Sequence, residues 1–133
     1  MDNRKVNIEY SHIGTGLIQD TSYFTHIRES KARIVYLESE QAKKHKGKKI
    51  LGQCEKVADK YKWGIPCDFT ITLFTPNIKG LSDEAIKRII MHELLHVGIK
   101  QNDDGSEHYY VVPHDTEDFK FMLDNFGTEW WLA

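Results

Sequence analysis

The sequence predicts an α+β domain: a small mixed or antiparallel sheet packed against one amphipathic helix and a second, C-terminal helix. Three observations carry this prediction. Asp68 to Thr75 alternates Phe69, Ile71 and Leu73 with Thr70 and Thr72, the period of a half-buried strand. Residues 82–97 place Ile86, Ile90, Leu94 and Val97 at helical spacing, one apolar stripe to pack on a sheet. No helical period separates the second expected strand from the third, so a wholly parallel sheet with helical crossovers is not expected.

Length and composition bound the answer. At 133 residues the chain reads as a single domain, 1–133, with residues 1–31 its least defined part. A chain of this size buries roughly two thirds of its unfolded surface without staples. A hydrophobic content of 40% with 29% charged residues places it among globular proteins. No apolar run approaches the roughly 18 residues of a membrane span, and no signal-peptide stretch opens the chain. A cytoplasmic protein is expected. Cys54 and Cys67 form no C-x-x-C pair and read as reduced, partly buried thiols.

The elements follow in order. Val6, Ile8 and Tyr10 alternate with polar residues, as in a short strand or extended arm. Gly14-Thr15-Gly16 should break what precedes it, and Leu17 to Ser30 suits an irregular helix. His12 and His26 have no partner at ligand spacing and read as surface or core-edge histidines. Ala32–Glu38 is rich in β-formers, and Ile50–Cys54 reads as the next strand. Between them Lys43, Lys44, Lys46, Lys48 and Lys49 form the densest basic run, far in sequence from the main helix. Without interleaved aromatics or a nucleic-acid motif, it reads as a solvated loop, and nucleic acid is not expected as a partner. Net charge is −2, but residues 1–81 carry 14 basic and 9 acidic side chains, whereas residues 82–133 carry 4 and 11.

The main helix has a good N-cap in Ser82, acidic Asp83 and Glu84 on its first turn, and Leu81 and Ile86 as a hydrophobic staple. Gly98 is the expected C-terminal stop. Asp104-Gly105 then predicts a hairpin, with Glu107–Val112 as its returning strand and Pro113 as its end. Asp115 or Thr116 should cap a final helix whose buried stripe is Phe119, Met122, Leu123 and Phe126, closed by Gly127. Trp130 and Trp131 read as packing residues.

Within the main helix lies His92-Glu93-Leu94-Leu95-His96. Histidines four apart stand one turn above each other on one face, where both imidazoles can reach one ion. Glu93 then flanks that ion. This is the zinc-peptidase signature, with the glutamate as general base and a zincin-like fold around it. With 7 His in 133 residues, chance would produce the pattern in roughly 0.03 of such chains, so composition does not explain it. A catalytic zinc needs a third protein ligand and an open position. The H-E-x-x-H-x-x-G-x-x-H class is eliminated, because Ile99 and Asn102 stand where Gly and His would be needed. His108, His114 and Glu117 remain. His114 is favoured, since helix packing can carry its imidazole over the metal helix, while His108 reads as a strand-surface residue. Tyr109, Tyr110 and His108 are candidates for oxyanion stabilisation, Asp115 for orienting a ligand histidine. A substrate could add beside the Phe69–Leu73 strand if that strand lies at an edge.

Asp68–Ile71, Leu81–Glu84, Met91–His96 and Val112–Phe119 together resemble the putative phage metallopeptidase family, small domains with an H-E-L-x-H helix followed by a P-H-D-x-x-x-F segment. The resemblance spans roughly residues 32 to 127. It implies zinc bound by His92, His96 and His114, a catalytic Glu93, a peptide or protein substrate, and a bacterial or phage-infected host cell. A more distant similarity runs to SprT-like proteases that act on DNA-bound proteins, but this chain lacks the C-x-x-C ribbon that many of them carry. Two alternatives accompany the peptidase reading. One is a metal-stabilised binding or inhibitory phage module; the other is a protease acting at DNA through the lysine run.

Overall fold

The computed structural model describes residues 3–114, 120–127 and 130. Its centre is a four-stranded mixed sheet in the order β1-β2-β6-β5. These strands are β1 (Arg4–Val6), β2 (Ile34–Ser39), β5 (Gly52–Lys56) and β6 (Phe69–Phe74). β2 and β6 run parallel, with Tyr36 beside Ile71; β1 and β5 pair antiparallel to their neighbours, with Cys54 also beside Ile71. The three strands expected upstream of the main helix are therefore present, and the sheet is mixed. Residues 1–31 are more regular than expected. β1 precedes a 13-residue helix, α1 (Ile8–Asp20), capped by the Asn7 side chain on the Tyr10 amide, and a short α2 (Thr25–Arg28).

Gly14-Thr15-Gly16 does not break the chain, because α1 runs straight through it. The reason is tertiary. A Cβ on Gly14 would come within 2.2 Å of the Tyr36 ring, so glycine here serves the close approach of α1 to β2 rather than a turn. Strand β6 also departs from its half-buried pattern. With β2 it is one of the two inner strands, and Thr72 and Phe74 are as fully buried as Ile71 and Leu73. On the face away from the long helices, Arg4 pairs with Glu55 and donates to Thr72, while the Lys43 ammonium stands over the Phe74 ring.

Helix α3 (Thr75–Ile78) begins with Pro76 in its first turn. Helix α4 (Asp83–Leu94) then starts as the sequence requires, with the Ser82 hydroxyl accepting from the Ala85 amide. Ile89, Ile90 and Leu94 enter the core with Phe69, Ile71 and Leu73, each such side chain contributing about 1.5–3 kcal/mol by burial. The helix ends one turn before Gly98. Its C-cap is Leu95, and Gly98 lies in strand β7 (Val97–Gln101). There a Cβ would collide with the Tyr110 ring at 2.5 Å, so this glycine too serves a packing contact. Strand β7 pairs antiparallel with β8 (Glu107–Val111) across the Asn102–Ser106 turn, where Gly105 has φ 86°. The expected hairpin is present. Helix α5 (Lys120–Phe126) follows, Met122 is fully buried, and Gly127 at φ 82° closes it. The expectations for Asp115, Thr116, Glu117, Asp118, Phe119 and Trp131 lie outside the described residues.

The lysine run is not a loop. It folds into a two-stranded hairpin, β3 (Lys44–His45) and β4 (Lys48–Lys49). Cys54 and Cys67 are free thiols, as expected. No helix of the described residues is long and apolar enough to cross a membrane.

Candidate metal centre

His92 and Glu93 belong to the last turn of α4, which is buried on nearly every side; His92 is 8% and Glu93 5% exposed. His96 lies just beyond the helix, its amide donating to the Glu93 carbonyl in a tightened final turn at 3.0 Å. It still stands above His92, with ring centroids 5.3 Å apart.

Register brings in the third histidine. The β7–β8 ladder places Val97 opposite Val111, and the next step pairs His96 with Val112: the Val112 amide donates to the His96 carbonyl at 2.7 Å. The His96 ring continues that link, Nδ1 lying 2.6 Å from the Val112 carbonyl oxygen. With its proton on Nδ1, the ring presents Nε2 as a lone pair. Two residues later the chain delivers His114, whose ring centroid is 4.5 Å from that of His96. One donor nitrogen from each of His92, His96 and His114 lies within 4.8 Å of the others.

These residues fit a metal ion. The Nε2 atoms of His92 and His114 are 3.1 Å apart. Two lone pairs at that separation repel unless a proton or a cation lies between them. Nitrogens bound about 2.0–2.1 Å from a tetrahedral ion stand about 3.4 Å apart, close to what is seen. Three neutral imidazoles suit zinc, copper, iron or nickel. Glu93 is not one of the three clustered residues; its Oε2 is 3.9 Å from His92 Nε2.

The other candidates fall elsewhere. His108 sits on the exposed face of β8 opposite Lys100, stacked on Tyr110. Tyr109 turns to the core, edge-on to Phe69, and its hydroxyl donates to Glu107 at 2.7 Å. Burial and this bond to Glu107 push the Tyr109 phenol well above its ordinary range. Tyr110 covers Gly98. None of the three lines the cavity beside the histidines, so the structure does not place them for oxyanion stabilisation.

That cavity, about 350 Å³, is walled by β5 from Gly52 to Cys54, by Ile89 of α4, by Val111 and by Trp130. Two wall residues escaped the sequence reading. Gly52 faces Glu93: a Cβ there would meet Glu93 Cγ at 3.2 Å and Oε2 at 3.3 Å. Trp130 lies flat on the His92 ring, centroids 4.8 Å apart and planes 16° from parallel, its carbonyl accepting from Arg88. Neither carries a sequence signal, since each acts through a tertiary contact. The Cys54 thiol also lines the cavity. Burial, then the charges of Glu93 and Glu55, push it well up, so it is a neutral SH at pH 7.

A mixed α+β domain with three convergent histidines, two of them from one His-Glu-x-x-His segment, defines the chain as one able to hold a metal ion. It belongs to the family described as "Putative phage metallopeptidase", whose model matches residues 5–132, nearly the whole chain. No curated protein and no solved structure matches it.

Proposed function

We propose that the domain is a zinc-dependent peptidase of phage or prophage type, with His92, His96 and His114 holding the metal and Glu93 as general base. One observation carries this reading. Three imidazole nitrogens converge within 4.8 Å beside a buried carboxylate that is not one of them, and all four residues face a single cavity. When bound, zinc supplies a Lewis acid that polarises a carbonyl and lowers the pKa of water toward about 7.

The protein's own residues do the rest. Glu93 accepts a proton from the attacking water as its oxygen bonds to the scissile carbonyl carbon. It then delivers that proton to the departing nitrogen as the C–N bond breaks, leaving a carboxylic acid and an amine; transfer of the acid's remaining proton gives the carboxylate and ammonium products. The Val112 carbonyl holds the His96 ring in orientation, and Trp130 holds the plane of His92. Gly52 leaves the space in which the Glu93 carboxylate lies. The inner position of β6 rules out the strand addition envisaged there. Strand β5 is the terminal strand on that side and walls the cavity, so an extended substrate would add along β5 instead.

The test is cleavage of a mixed peptide library by the zinc-loaded protein and by Glu93→Gln, read by mass spectrometry. Wild type should cleave, and Glu93→Gln should keep one zinc per chain and its fold while losing cleavage by at least about 100-fold. Loss of zinc from Glu93→Gln would make Glu93 a ligand. Cleavage as fast as wild type would end its role as base.

A further inference from the structure

The β3–β4 hairpin was expected to be solvated and remote, yet its base forms part of the cavity wall: Lys49, Ile50 and Leu51 line the space beside His92, Glu93 and His96. It is also firmly held. The Asn77 side chain donates to the carbonyls of Lys43 and Ile50 at 2.7 and 2.8 Å, clamping both strands where they leave the sheet.

Its charge arrangement is unfavourable for the free protein. Lys44 lies directly opposite Lys49, and His45 opposite Lys48; like charges in directly opposed positions destabilise a strand pair. At the turn, Lys46 has φ 50° and Gly47 φ 77°. That two-residue turn favours Asn or Asp at its first position, and lysine there is held in a left-handed conformation that strains its backbone. Residues 44–49 are all exposed, and among the described residues no carboxylate forms an ion pair with Lys44, Lys46, Lys48 or Lys49. An anion laid against this hairpin would relieve the repulsion between the paired lysines.

The surroundings say which anion. Beyond the hairpin the wall is largely apolar, with Ile50, Leu51, Ile89, Val111 and Trp130. Such a wall accepts side chains, not a sugar-phosphate backbone. The Glu93 carboxylate lines the same cavity. A long polyanion laid along the cavity would meet that charge; a short peptide with its charge at one end would not.

We propose that the hairpin selects acidic peptides: it binds carboxylates of an extended peptide on one side of the bond held at the metal centre. From Lys49 at the wall to Lys46 at the tip is three residues, about 10 Å of strand. The favoured acidic positions therefore span about three consecutive residues, beginning where the peptide passes Lys49. This assignment of substrate class rests on the peptidase reading, and the experiment separates the two.

Zinc-loaded Glu93→Gln is titrated, by fluorescence anisotropy, against a labelled glutamate-rich decapeptide, its glutamine isostere and a 20-nucleotide DNA duplex. The glutamate peptide should bind at least about tenfold tighter than the isostere at low salt. That preference should disappear in Lys44→Glu/Lys49→Glu, whose exposed substitutions leave zinc content unchanged, and should shrink at high salt. Equal binding of the two peptides, or a preference that survives the charge reversal, overturns the proposal. So does DNA that binds more tightly than the acidic peptide. If wild type cleaves nothing while the lysine-dependent preference persists, the peptidase reading fails and the acidic-peptide site stands.

Discussion

Replacing Gly52 by alanine tests how closely the Glu93 carboxylate, the proposed general base, is seated. Gly52 has no left-handed backbone angle, so the only consequence of a methyl group is space. The added Cβ would lie 3.2 Å from Glu93 Cγ, 3.3 Å from Glu93 Oε2 and 3.3 Å from Ile89 Cγ2. Favourable carbon contacts begin at about 3.5 Å, so something must yield by a few tenths of an ångström. Ile89 is 1% exposed and locked in the core; Glu93 faces the cavity and is the group that moves. Overpacking of this kind costs about 1–3 kcal/mol, partly offset by the about 0.4–1 kcal/mol that Gly→Ala gains by restricting the unfolded chain. A net strain of about 1.4 kcal/mol, relieved by displacing Glu93, corresponds to about tenfold in rate if Glu93 is the base. The assay is kcat/KM on a peptide substrate, with zinc content and Tm measured on the same preparations. Gly52→Ala should lose about tenfold in kcat/KM, keep one zinc per chain, and shift Tm by only a few degrees. Unchanged kcat/KM would refute the seating of Glu93 against β5.

Two further outcomes follow from packing and charge. Gly14→Ala places a methyl group 2.2 Å from the buried Tyr36 ring and should destabilise the fold by about 3 kcal/mol or more in denaturant titration, with Tyr36→Leu partly restoring it. Burial raises the Asp68 carboxyl, but the Arg33 amide at 2.8 Å and the Lys62 ammonium at 3.1 Å outweigh it and hold it below its ordinary 3.8. A lowered folded pKa means that the stability from this group is present above about pH 4 and is lost as pH falls through the folded value. Asp68→Asn should therefore be less stable than wild type at pH 7, with the gap closing as pH falls below the ordinary carboxylate range; a gap constant with pH would contradict the assignment.

The His92–His96 segment was readable because the four-residue spacing puts both rings on one side even though the helix ends at Leu94 and His96 stands in the turn beyond it, and strand alternation similarly exposed β6. What escaped depends on contacts between distant segments. Gly14 and Gly98 look like breakers, yet each makes room for a tyrosine from another strand, so the local rule for glycine misplaced two boundaries. The burial of Thr72 follows from β6 lying inside the sheet, and nothing in its own alternation announces that position. Lys46-Gly47 turns the chain without the usual asparagine, which hid a hairpin inside a charge run. His114 falls between these cases. Asp104-Gly105 predicted the hairpin, but only its register, with Val112 beside His96, shows why the residue two further on reaches the cluster. Trp130 read as a packing residue and is one, buried in the core, but its stacking on His92, like the approach of Gly52 to Glu93, depends on a tertiary contact that no local pattern announces.

The central claim is that three histidines, and no other side chain, hold one zinc ion. Zinc-edge X-ray absorption on the stoichiometrically loaded protein counts those ligands directly. The account predicts three imidazole nitrogens at about 2.0–2.1 Å and one light oxygen ligand, with one imidazole lost or the zinc released in His114→Ala. A sulfur shell at about 2.3 Å, which would bring Cys54 onto the metal, or an imidazole count that His114→Ala leaves unchanged, would contradict it.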